Sequence, residues 1–568
     1  MLFRSMRLVL AIAVIISVSF SAAADNIKIY RELFDRDFLH QVRALVQVPT
    51  YRGGVMDERR VQIGLDRLRE GFFSPWALMF NSKLGTLKLK SFEWRSADRK
   101  YRVFGFRIGS GPKKISLITH LDTVPPGRGW FQENPLDIEE IERAYGGDIT
   151  DFITGRGVID NKGPAVVTFA VLRAIAKAYD ATPEKLNGVT LEVLFDTSEE
   201  TDMSMPHYLK ANPAAKPWMG IVHDGFWCIR AEKGIERPLF SVLQGDAIPD
   251  KPWIKELNSS PGPVNQIPDS ARALIQGLNP RDIRNLAKHI GLLYQLYQFD
   301  DPDYRRAYLV VRNPRPGELL LITRVAGAQH GSAPEENRAT GANPLVSLVN
   351  FLGRLVETGR LSMNGAARMT QFVKWTWGTR VFGEKHPDLL KAEDETFGTG
   401  NGTTYAVTRF KTGGAVTLEL DIRYALGHHG IKWDGKTEGT LPGKSRFTEI
   451  FNTITKQFNK AIPGPLVNLI TTKTAFAPDL KVPAGNDRFQ RIDRAYKQVM
   501  GKPCPKLGIG GGTDAKGHSE LLAAGALFHP RLGPPINFHG IDEGAPIKDL
   551  KKSGEILFRL LVDAIEKP

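Results

Sequence analysis

The sequence predicts an α/β catalytic domain with a mainly parallel sheet and helices on both faces, interrupted by an inserted α+β lid domain. Three observations predict this. Strand and helix patterns alternate between residues 25 and 235, which is the rhythm of βαβ units. Metal-ligand residue types follow the strand-like runs: ISLIT precedes His120, LEVLF comes shortly before Glu199-Glu200, and GIV precedes His223-Asp224. In open α/β sheets ligands gather at the carboxyl ends of strands. The pattern then changes style after Gly234 and returns only near the end.

The elements follow in order. Arg4 and Arg7 precede an apolar stretch, Leu8 to Phe20, and then small residues Ser21-Ala22-Ala23-Ala24. This is the layout of a signal peptide over 1–24, shorter than the roughly 20 apolar residues of a membrane-spanning helix. The expectation is a mature chain from near Asp25, exported to a bacterial periplasm or beyond, with no stable membrane anchor after cleavage. Residues 25–235 form the first part of the catalytic domain. Within it Asp160 stands in GRGVIDNKG, and PAVVTFAVLRAIAKAY (Pro164 to Tyr179) has helical apolar spacing with Pro at its start.

Residues 236–465 read as the lid, with Pro/Gly-rich joints, strands LLLITRVAG and AVTLELDIRYALG, and a helix from Asn343 to Glu357. In the second strand Leu418, Leu420 and Ile422 share one face, which puts Arg423 on the other with Glu419 and Asp421. Residues 466–568 complete the catalytic domain with GIGGGTDAKG, FHGIDEG and an amphipathic helix near Ile547 to Ile565. The metal-type residues flank the lid segment and none lies within it, so the catalytic domain is discontinuous.

At 568 residues the chain exceeds one ordinary core, and 42% hydrophobic with 24% charged residues is the balance of a globular protein. The net charge is +14, with Lys and Arg scattered rather than blocked. No zinc finger, RNA-binding signature or basic-aromatic stripe argues for nucleic acid. Cys228 and Cys504 are the two cysteines. They cannot supply a Cys-rich zinc site, and both are expected to be free thiols.

A pair of divalent cations needs mixed His and carboxylate ligands, a bridging carboxylate and an open position. His120, Asp160, Glu200, Asp224 and His539 supply that set. Asp160 sits among Gly155, Gly157 and Gly163, which permit close approach. Asp122, two residues from His120, suits a supporting role that holds the imidazole tautomer. Glu199 is left over beside a ligand and becomes the general base toward the attacking water.

Taken together, HLDTVPPG, GRGVIDNKGP, DTSEET, VHDG…AEKG, GAQHGSAPE, GGGTDA and FHGIDEG resemble the motif series of the co-catalytic zinc aminopeptidase-like family, peptidase family M-20. That family contains aminoacylases, succinyl-diaminopimelate desuccinylases, glutamate carboxypeptidases and the dipeptidase V type. The resemblance implies that Asp160 bridges two zinc ions, cobalt and manganese being alternatives. It gives His120 and Asp224 to one ion and Glu200 and His539 to the other, makes Glu199 catalytic, and implies a cis peptide after Asp160. It also implies a ferredoxin-like lid. The segment between Gly234 and Pro465 is about 230 residues long. That length is similar to dipeptidase V, whose large lid stands in for a dimer partner in a monomer.

GPVNQIPDSARA with Asn265, GAQHGSAPE with His330 and LDIRYALG with Arg423 resemble that lid's substrate-facing segments. His330 would stabilise the oxyanion, and Arg423 would grip a substrate carboxylate. Gly511, Gly512 and Thr513 lack the following Lys-Ser/Thr of a P-loop, and read as a close backbone approach to the substrate carboxylate. FHGIDEGAP departs from the His-x-x-Asn-Glu stretch of many relatives. His428 and His429 have no counterpart, and read as an exposed loop pair. The implied activity is hydrolysis of dipeptides or short peptides with a free carboxylate. The alternatives are an N-acyl-amino-acid deacylase or carboxypeptidase, and a peptide-binding protein that has lost catalysis.

Overall fold

Apolar runs of strand length build separate sheets around two separate cores. The computed structural model describes residues 26–567, apart from 54–55, 246–250, 326–329, 336–342, 392, 395–397, 400–401, 426–427, 429–445, 477–478, 481–486 and 530–534. The expected signal peptide and His429 lie outside the described residues.

In chain order the elements that position the site are β1 (Lys90–Arg95), β2 (Arg102–Gly109), β3 (Lys113–His120), helix α1 (Lys162–Ala178), β4 (Val189–Asp196) and β5 (Met219–Val222). The lid supplies β6 (Gly234–Leu243), β7 (Thr404–Lys411), β8 (Ala415–Tyr424) and β9 (Asn468–Phe476). The chain then returns through β10 (Leu521–Ala523) to helix α2 (Ile547–Glu566).

The catalytic sheet has the order β1-β2-β4-β3-β5-β10. Strands β4, β3, β5 and β10 are parallel neighbours, and β1 and β2 add an antiparallel edge. Every residue of β4 is buried, as expected of a strand covered on both faces. Helix α1 is buried from Lys162 to Ala176 and packs against α2 and the sheet. A helix apolar on most of its circumference needs such cover. This core runs from Ile27 to Ile229 and again from Phe489 to Ile565.

The second core is that of the lid. Its sheet has the antiparallel order β7-β8-β6-β9, and a further four-stranded sheet is formed by Trp253–Ser259, Ser270–Gln276, Tyr308–Arg312 and Glu318–Arg324. Leu418, Leu420 and Ile422 of β8 are buried among Phe240, Phe372 and Phe451. The lid sheet takes in β9, which lies beyond the expected boundary at residue 465: its pairing with β6 outweighs the change of style in the sequence.

Two sequence expectations are corrected. Cys228 and Cys504 form a disulfide, with Cα atoms 6.0 Å apart. The chain leaves the catalytic domain after Ile229–Glu232, is back in its core by Phe489, and then pairs Leu507–Ile509 in parallel with Ile229–Glu232. The Leu507 N–H donates to the Cys228 carbonyl, so cysteines 276 residues apart meet beside the point where the chain departs for the lid. His428 is buried, not exposed. Its ring nitrogens face the Thr403 hydroxyl and the Asp388 carbonyl.

Candidate metal centre and active-site cleft

The parallel strands end at one edge, and that edge carries the chemistry. His120 is the last residue of β3, Glu199 lies three residues beyond β4, and Asp224 two beyond β5. Asp160 arrives on the loop before α1. Gly155 there has φ 149°, and a Cβ on it would lie 2.4 Å from the Asp137 carbonyl oxygen, so only glycine fits. The Asp160–Asn161 peptide is cis.

The two oxygens of Asp160 face two histidines. Oδ1 lies 2.9 Å from His120 Nε2, and Oδ2 lies 3.0 Å from His539 Nε2. Glu200 Oε2 is 3.0 Å from the same His539 nitrogen, and Asp224 Oδ2 is 3.9 Å from His120 Nε2. The ligand atoms thus form two groups, His120–Asp160–Asp224 and Asp160–Glu200–His539, each within 4.8 Å. Asp160 belongs to both. The mixed imidazole and carboxylate donors fit divalent cations, and Glu200 Oε1 is buried without a protein partner, a ligand oxygen in reserve.

The electrostatics agree with a cation pair. Burial, and then Asp160, push the Asp224 carboxyl up to about 7. Burial raises Glu199 well above the carboxylate range, with Glu200 and Asp224 adding to it, while His120 acts in the opposite direction. Glu200 is raised chiefly by burial. Asp160 is the exception: against the upward push of burial, hydrogen bonds from His120 and His539 hold it below the usual range. Against the downward push of burial, Glu200 and Asp160 raise His539 to about 10. Positive charge is what this set of buried carboxylates needs.

Supporting groups fix the ligands. His120 Nδ1 lies 3.0 Å from the backbone oxygen of Asp122 and 3.5 Å from its carboxylate. The carbonyl therefore holds the tautomer, where the side chain was expected to. The Asp122 carboxylate instead accepts the N–H groups of Glu199 and Glu200, at 3.0 and 3.2 Å, and Arg52 Nη1 at 3.2 Å. Glu543 accepts the N–H groups of Gly157 and Ile159 and pairs with Arg156, whose Nη2 donates to the carbonyls of His539 and Gly540. This pair ties the Asp160 loop to the His539 loop. Arg156 and Glu543 stand inside GRGVIDNKG and FHGIDEG, where a charged residue beside a ligand was a readable signal. Arg52 had none.

The lid forms the other wall of a cleft of about 250 Å³. His330, Asn265, Arg423, Gly511, Gly512 and Thr513 line it with Glu199 and the ligands Asp160, Glu200, Asp224 and His539. His330 Nδ1 accepts the Ser332 N–H at 2.9 Å, so the neutral ring carries its proton on Nε2. Burial, and then His539 and Arg423, hold His330 well below the usual imidazole range. Arg423 is buried; its Nε donates to Asp421 Oδ2 at 2.8 Å and its Nη1 to the Gly510 carbonyl at 3.0 Å. The Thr513 hydroxyl donates to Glu232 Oε1 at 2.7 Å, which leaves the backbone of the Gly511–Gly512 turn as the nearer means of contact. Lid and catalytic domain also meet where Gln266 Nε2 donates to the His539 carbonyl at 2.9 Å. The cleft includes Arg237, which the sequence reading passed over.

A buried carboxylate shared by two ligand groups, at the strand ends of an α/β sheet and beneath an inserted lid, defines a metal-dependent hydrolase. The chain belongs to peptidase family M20/M25/M40, whose model matches residues 117–563. It is similar to the Beta-Ala-Xaa dipeptidase of Lactobacillus delbrueckii subsp. lactis, with 24% identity over 446 residues, 78% of this chain and 80% of that protein. To YtjP of Bacillus subtilis it is 27% identical over 452 residues, 78% of this chain and 81% of that one. Its fold is similar to that of the di-peptidase Dug1p from Saccharomyces cerevisiae, with TM-score 0.51 and 14% identity, covering 96% of this chain and 99% of the other.

Proposed function

We propose that this chain is an exported, monomeric, zinc-dependent dipeptidase that cleaves the amide bond next to a free carboxylate. The observation that carries the reading is the single cleft in which Asp160 faces both His120 and His539, with Glu199 on its wall. His120, Asp160 and Asp224 would hold one cation, and Asp160, Glu200 and His539 the other. When bound, the pair supplies polarisation of the scissile carbonyl and acidification of the attacking water. Glu199 takes the proton of that water and returns it to the leaving amine. Its burial raises its proton affinity, which suits a base that must hold the proton between the two steps. His330 donates from Nε2 to the developing oxyanion. A guanidinium has five N–H donors. Arg423 commits Nε and one Nη1 N–H to Asp421 and Gly510, and the remainder can meet the substrate carboxylate.

The Cys228–Cys504 disulfide supports an oxidising compartment, in keeping with the signal-like leader. A cleft to which the chain's own lid contributes His330, Asn265 and Arg423 supports a monomer, since no second copy is needed to complete it. The test is a panel of dipeptides, their C-terminal amides, and N-acetyl and N-succinyl amino acids, with zinc, cobalt and manganese. Faster turnover of free dipeptides is expected. A preference for N-acyl amino acids would make the chain a deacylase, and metal binding without hydrolysis of any compound would make it a binding protein.

A further inference from the structure

Arg237 is a second guanidinium in the cleft, and the reaction described above leaves it without a task. Strand β6 pairs with β8 so that Ile235 lies opposite Arg423 and Glu236 opposite Ile422. Arg237 is two residues beyond Ile235 and so points to the same face of the sheet as Arg423. Ile235, Arg237 and Arg423 all line the cleft. Arg237 makes no hydrogen bond or ion pair among the described residues, and its Nε is buried without a partner.

The register of β6 with β8 sets Asp421 opposite Arg237, but Asp421 forms its ion pair with Arg423 and none with Arg237. Burial lowers its proton affinity; Asp421 is the strongest charge opposing that, Arg423 adds to it, and Asp202 and Glu419 oppose it more weakly. Asp421 is held by Arg423 at 2.8 Å, and Asp202 by Lys100 at 2.7 Å. A half-buried guanidinium that makes no hydrogen bond or ion pair in a cleft has donors to offer a bound anion. Arg423 beside it takes the main-chain carboxylate of the substrate in the dipeptidase reading. The anion at Arg237 then belongs to the same residue of the substrate.

We propose that Arg237 binds a second carboxylate of the substrate, so that the preferred substrates are dipeptides whose C-terminal residue is aspartate or glutamate. This rests on the dipeptidase reading, with Arg423 on the main-chain carboxylate. An acidic C-terminal residue presents two carboxylates a few bonds apart, which the paired guanidinium groups can divide between them.

The test compares the zinc-loaded wild type and Arg237→Met on Ala-Glu, Ala-Gln and Glu-Ala. The wild type should favour Ala-Glu over Ala-Gln, and Arg237→Met should lose on the order of 10²-fold in kcat/KM on Ala-Glu, mostly through KM. Turnover of Ala-Gln should be nearly unchanged, which also shows that the variant folds. Three outcomes overturn the inference: a wild type that favours Ala-Gln, equal losses on Ala-Glu and Ala-Gln, or a loss confined to Glu-Ala. If Arg237→Met does not fold, Arg237→Gln and the wild-type ratio of Ala-Glu to Ala-Gln decide. Turnover of Ala-Gln by the wild type upholds the dipeptidase reading whatever Arg237 does. A wild type that hydrolyses no dipeptide removes that reading, and the inference falls with it.

Discussion

The carboxylate of Asp122 accepts the backbone N–H groups of both Glu199 and Glu200, at 3.0 and 3.2 Å. One side chain from the end of β3 therefore sets the position of a ligand and of the proposed base together. Asp122→Ala should lower kcat by 10- to 100-fold, roughly the range for a group that orients a metal site, with less effect on KM. Steady-state kinetics with a metal count test this. Unchanged kcat would show that the turn at Glu199 holds itself.

The adjacent glutamates should separate cleanly. Glu199→Gln should retain both cations and lose at least about 10²-fold in kcat, the lower end for a positioned acid–base group. Glu200 Oε2 faces His539 at 3.0 Å, so Glu200→Gln should lose bound metal. Metal analysis of the two purified variants decides, and loss of metal in the first with retention in the second would reverse the roles.

His330 should act as a neutral donor. Its Nδ1 is occupied by the Ser332 N–H, and burial holds its pKa well below the usual value of 6.5. A depressed pKa keeps the ring neutral as pH falls through the ordinary imidazole range, so His330 should not produce an acid limb there. His330→Ala should lower kcat on the order of 10²-fold, the scale of one lost oxyanion donor, without moving the acid limb of the pH profile. A wild-type limb near 6.5 that vanishes in the variant would contradict this.

The disulfide should stabilise the joined halves of the catalytic domain. It closes a loop of 276 residues that contains the lid. In the chain-entropy account a loop of this length contributes about 5–6 kcal/mol, an upper figure for a disulfide. Thermal unfolding with and without reductant, and of Cys228→Ser, should show a lower Tm for both broken forms. An unchanged Tm would mean that the pair carries no stability.

The candidate ligands were legible because the geometry of an α/β sheet turns sequence order into spatial convergence: His120, Glu200 and Asp224 each follow a strand of one sheet. Helix α1 and the two faces of β8 were readable from period alone. What escaped the sequence depends on contacts between distant segments. Nothing local in Arg52 says that it reaches Asp122, or in Gln266 that it reaches the His539 carbonyl. The cysteines read as unrelated because their meeting depends on the parallel pairing of Ile229–Glu232 with Leu507–Ile509. Strand β9 joins the lid sheet through β6, a partner more than two hundred residues earlier, and no local pattern carries that pairing. Arg237 shares the face of Arg423 only through the register of β6 with β8, which neither segment carries by itself.

The central claim is that Asp160 joins two cation sites that are both required for hydrolysis. Zinc titrated into the metal-stripped protein, with bound metal and dipeptide turnover followed together, tests it most directly. The account predicts no turnover after stripping, two zinc ions bound per chain at saturation, and full activity only with the second. Full turnover by protein shown to be metal-free, or activity complete with one ion bound, would contradict it.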